Sequence, residues 1–93
     1  MDKLNEKLVK YFDVTKRALE KVKLVGDLSD QQKTKALDIL DLSKRYYEDA
    51  VHFNGRNDFV NAFGAVVYSH AFLDIGCRLE LFDVDDNELF MVD

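Results

Sequence analysis

No proline interrupts the chain, and turn-forming residues gather in only two places, VGDLSD at 25–30 and FNGRND at 53–58. Proline breaks helices and glycine weakens them. A 93-residue chain with no proline and four glycines is therefore left with long uninterrupted runs. There are three of them, and each carries apolar residues at helical spacing.

In the first run, Leu4, Leu8, Tyr11, Thr15, Ala18, Val22 and Val25 step by threes and fours, with Phe12 and Leu19 widening the stripe. Gly26 suits a helix stop, so the pattern predicts a helix over 2–25. The second run opens on Ser29-x-x-Gln32, a capping box, and its face is Ala36, Ile39, Leu40, Ser43, Tyr46, Tyr47, Ala50 and Phe53. Asn54 and Gly55 both tolerate the left-handed conformation that ends helices, which predicts a helix over 30–54. Asn57 or Asp58 caps the third run, whose primary face is Phe59, Phe63, Val66, His70, Leu73 and Cys77, predicting a helix over 58–80. A short tail at 83–93 is acidic, then apolar. Helices this long joined by short turns make a single all-α domain spanning 1–93, an antiparallel up-and-down three-helix bundle. Such a chain buries roughly 60–65% of its unfolded surface, enough to fold alone.

The totals narrow the function. A net charge of −5 and a pI near 4.9 argue against binding a phosphate backbone. The lone Cys77 has no internal disulfide partner, and the N-terminal MDKLNEKLVK is charged throughout, unlike a signal peptide. The longest uncharged run, 59–73, falls short of the ~20 apolar residues of a membrane span and includes Asn61, Ser69 and His70. The expectation is a cytoplasmic protein without a membrane or nucleic-acid partner and without a cofactor.

Catalytic and metal combinations fail on spacing. Ser69, His70 and Asp74 are the residue types of a hydrolase triad, but adjacent helical residues point ~100° apart. Cys77 and His70 are roughly 10 Å apart along a helix, too far for a thiolate–imidazolium pair. His70 and Asp74, at i and i+4, could share a metal, yet zinc needs three or four ligands and His52 lies some 15 Å away in the bundle. DVDDN at 83–87 opens like a calcium loop but has Glu88 where the loop needs glycine. Arg45 and His52 match the spacing of the Arg and His in HEPN-class ribonucleases, but Tyr46 stands where that pattern has a polar residue. No catalytic residue and no metal ligand set is assigned.

Two features remain. Stacking the runs places Thr15, Ser43 and His70, one from each helix, within about one turn (~5 Å) of one another, with Asp74 one turn further on. These four form a buried polar layer or a small-ligand pocket. Tyr68, Phe72, Ile75 and Leu79 make a second apolar face opposite Phe59 and Cys77, beside a strip of Ala62, Ala65, Ser69 and Gly76. Apolar patches this large are seldom left bare. The tail residues Leu89, Phe90, Met91 and Val92, a second copy or another protein would cover it.

Residues 46–82 resemble the archaeal family catalogued as domain of unknown function 357. The likeness rests on Tyr46, Tyr47, Asp49, Ala50, Phe53, Gly55, Ala62, Phe63, Gly64, Tyr68, His70, Leu73 and Asp74, and departs at Phe72, where the family has a small residue. The resemblance implies a cytoplasmic archaeal helical bundle and assigns no activity. The reading is of a non-enzymatic domain that self-associates or binds a protein through the third helix. Its rival is a small-molecule-binding or HEPN-like nuclease-related protein using the polar layer.

Overall fold

The structure, a computed structural model, describes residues 2–83. It has three helices, α1 (Asp2–Lys21), α2 (Asp30–Gly55) and α3 (Phe59–Arg78), and two short strands, β1 (Lys23–Leu24) and β2 (Phe82–Asp83). The three-helix, all-α architecture is the expected one. The strand pair, antiparallel with Leu24 opposite Phe82 and Lys23 opposite Asp83, is not.

The strands correct the first helix boundary. α1 ends at Lys21 rather than near residue 25, although Val22 still donates to the Ala18 carbonyl at 2.9 Å. Beyond it the chain extends, and the Val25 N–H bonds to the Leu81 carbonyl at 2.9 Å. Residues 23–25 satisfy their backbone against a segment nearly 60 positions away, so a local apolar rhythm could not reveal the change. Gly26 follows the strand and does not stop the helix. The residues past Asp83, including Leu89, Phe90, Met91, Val92 and most of the calcium-like segment, lie outside the described residues.

The other helix ends follow local chemistry. Ser29 and Gln32 complete the capping box, with Ser29 N–H donating to Gln32 Oε1 at 2.8 Å and Gln32 N–H to Ser29 Oγ at 3.1 Å. At the end of α2 the left-handed residue is Asn57 (φ 61°), while Gly55 stays helical. Asn57 N–H reaches the Asn54 carbonyl and Asp58 N–H the Phe53 carbonyl, the paired bonds of a Schellman stop. Asp58 then caps α3, accepting from Asn61 N–H at 3.4 Å and Asn61 Nδ2 at 2.8 Å. One residue thus closes one helix and opens the next. α3 ends with the same stop built on Glu80 (φ 60°), with Leu81 N–H bonded to the Gly76 carbonyl.

α3 is the middle of the molecule: α2 packs along its length and α1 packs beside it, while α1 and α2 meet more sparingly, through side chains such as the edge-to-face rings of Phe12 and Tyr47. By length and apolar composition alone α3 could cross a membrane, but its small and polar positions match those of the two helices beside it. On α2, Ala36, Ser43 and Ala50 recur every seven residues. On α3, Ala62, Ser69 and Gly76 do the same, and all six are buried. The helices run antiparallel, so Ser43 opposite Ser69 carries Ala50 opposite Ala62 and Ala36 opposite Gly76. Small side chains let the axes approach closely.

Two apolar clusters flank this seam. One, at the strand end, holds Ala18, Ala36, Leu73, Leu81 and Phe82; the other holds Leu8, Ala50, Ala62, Ala65 and Val66. Phe82 lies so close over Gly76 that an added Cβ there would strike its ring. Phe82, the residue just before the tail read at 83–93, is therefore core.

Candidate functional site

Between the two clusters sit four buried polar side chains, Thr15, Ser43, Ser69 and His70. They form two pairs. Thr15 Oγ1 lies 3.1 Å from His70 Nδ1, linking α1 to α3. Ser43 and Ser69 link α2 to α3 reciprocally: Ser43 Oγ donates to the Ser69 carbonyl at 2.8 Å, and Ser69 Oγ donates to the Ser43 carbonyl at 2.7 Å. Each serine hydroxyl thereby bonds the other helix's backbone.

The sequence placed Thr15, Ser43 and His70 together, and the structure brings them to one level of the bundle. Its pairing differs. Ser43 turns to Ser69, which the sequence pattern sets on the small-residue strip beside the second apolar face rather than in the layer. The missed signal was the shared seven-residue spacing of 36, 43, 50 and 62, 69, 76, which lets the two sets face each other along antiparallel helices.

His70 Nε2 is buried, has no hydrogen-bond partner among the described residues and points toward Asp74 Oδ1, 3.8 Å away. A proton on Nε2 lets the Thr15 hydroxyl donate to Nδ1 and turns an N–H toward the carboxylate. The other neutral tautomer would aim a lone pair at it. Burial holds the imidazole pKa below its usual value, so the ring is neutral in the fold near pH 7. Asp74 is only partly buried, at the edge of the layer. Nearby, burial and the Asp74 charge push the Cys77 thiol up to about 11, which keeps it protonated and a poor nucleophile.

The remaining polar candidates stay apart. Arg45 is exposed and paired with Asp41 at 2.9 Å one turn back. His52, also exposed, rests its ring 6.2 Å from that of Phe53. Among the described residues no three His, Cys, Asp or Glu side chains converge as metal ligands would.

The second apolar face lies in the open. Tyr68 is 61% exposed, Leu79 58% and Ile75 43%, with Phe72 half-buried beside them. Tyr46 of α2, read from the sequence as core, belongs here too. Its ring stacks on Phe72 with centroids 5.6 Å apart and lies 5.5 Å from Tyr68. At 100° per residue, α3 turns one side to α2 (Ala62, Ser69, Gly76) and a second to α1 (Phe63, Val66, His70). The third, centred between Tyr68 and Ile75, is met among the described residues only along its edge, by the Tyr46 ring of α2.

These features define a small helical domain whose buried hydroxyls are paired across its helices and whose middle helix shows one apolar side. The family model described as "Protein of unknown function (DUF357)" matches residues 10–82. The chain belongs to that family, and the match takes in all of α2, α3 and β1 together with most of α1. No curated protein and no solved structure gives a significant match.

Proposed function

We propose that the chain is a small non-enzymatic interaction domain that docks another protein chain on the third side of α3. The exposure of Tyr68, Ile75 and Leu79 on a helix otherwise covered by α1 and α2 carries this reading. Scattered apolar residues on a surface are ordinary, but these are contiguous with Phe72 and braced by the Tyr46 ring. The polar layer supports no comparable reading, because Ser43 and Ser69 spend their hydroxyl protons on backbone carbonyls and Thr15 is bonded to His70.

Photo-crosslinking in living cells tests the proposal. A benzophenone amino acid at position 68 is expected to give a discrete higher-mass adduct. The same probe at Lys10, exposed on α1, serves as the control. Equal adduct patterns from both positions would refute the α3 side as the docking surface.

A further inference from the structure

The third side of α3 has a pattern of its own. Val60, Gly64, Tyr68, Ala71, Ile75 and Leu79 follow one another by threes and fours, so they share one stripe of the helix. Large and small residues alternate in its middle: Gly64, Tyr68, Ala71, Ile75. The large ones are exposed, Val60 most of all at 72%. Gly64 sits inside the helix, where glycine is a poor helix former, and a Cβ added there would touch nothing within 4 Å. Among the described residues, no neighbour requires a glycine at this position.

An antiparallel second α3 fits the stripe. In the register that sets Gly64 against Ile75 of the other copy, Tyr68 meets Ala71 and Val60 meets Leu79. Each large side chain then lies over a small one, and the two ends close on an aliphatic pair. The charges at the helix ends agree. Asp58 caps the N-terminus and Arg78 stands in the last turn, so antiparallel pairing brings Arg78 of one copy within about one turn of Asp58 of the other. A parallel pairing would set Arg78 against Arg78. Covering all the exposed area of the stripe would bury roughly 500 Å² per protomer, about 1,000 Å² in all, at the threshold for a biological interface and below the ~1,200 Å² of stable ones.

From this we infer that the occupant of the third side is a second copy of this chain, joined through an antiparallel, two-fold α3–α3 contact in which Gly64 receives Ile75. The inference rests on the proposed docking side and adds its partner and register. The contact is of minimal area, so the dimer is one that dissociates on dilution.

Sedimentation equilibrium on the full chain, with thermal unfolding of the same samples, tests it. Wild type should show a monomer–dimer equilibrium. Gly64→Ala should weaken the dimer at least tenfold while raising the unfolding temperature measured at low, monomeric concentration. Ile75→Ser should weaken the dimer without loss of helical signal. A wild-type chain that stays monomeric up to millimolar concentration would overturn the inference. So would a dimer indifferent to both substitutions. If the chain is monomeric while the probe at position 68 crosslinks a different protein, the docking side stands and the second copy does not. If neither crosslink nor dimer is found, both fall.

Discussion

His70 shows how one side chain sets the behaviour of the layer. Its burial depresses the imidazole pKa, so the folded chain resists a proton that the unfolded chain accepts near pH 6.5. Below that pH the unfolded state binds more protons, and stability falls as pH drops toward the lower folded value. The unfolding temperature should therefore decline between about pH 7 and pH 5, and His70→Leu should flatten that decline. Thr15→Val strands His70 Nδ1 in the interior and should cost about 1–3 kcal/mol in chemical denaturation. Adding His70→Leu removes the stranded atom, so the double variant should lose less than the two single losses combined. The Cys77 thiol, raised to about 11 from 9.0, should react with a disulfide reagent at pH 8 roughly tenfold more slowly than an unperturbed thiol until the chain unfolds, the smaller thiolate fraction being partly offset by a more nucleophilic thiolate.

Helices and their ends were legible to different degrees. The capping box at Ser29 and the cap at Asp58 are local chemistry, readable because the bonding atoms are three residues apart. The end of α1 was not readable, since β1 exists only through β2. Asn54 and Gly55 looked like the stop of α2, but the left-handed position falls at Asn57, where the chain must reverse for Asp58 to cap α3. Glu80 holds the same backbone conformation without glycine's freedom. Glu80→Gly should accordingly stabilise the fold by about 1 kcal/mol in thermal or chemical unfolding. Gly76→Ala should do the reverse, losing about 1–3 kcal/mol as the Phe82 ring is driven off α3. The opposite signs separate a glycine needed for contact from a position that lacks one.

For the whole molecule, the fold class followed from uninterrupted helical runs, and the placement of α3 explains why that helix is apolar nearly all round. Two of its sides are matched by α2 and α1 through small residues and paired hydroxyls. The sequence identified the polar layer and the second apolar face; the place of Ser69 was legible in the seven-residue spacing it shares with Ala62 and Gly76, whereas Tyr46 takes its place only from the register of α2 on α3. The third side remains as the surface through which, we propose, the molecule meets its own copy. Isotope-filtered nuclear Overhauser spectroscopy on an equal mixture of labelled and unlabelled chain reads that surface without any substitution. Intermolecular contacts from the Ile75 methyls to the Gly64 α-protons, and between the Val60 and Leu79 methyls, are the expected result. Their absence at concentrations where the chain is dimeric, or their appearance instead at Val9, Leu37 or Val51, would contradict it.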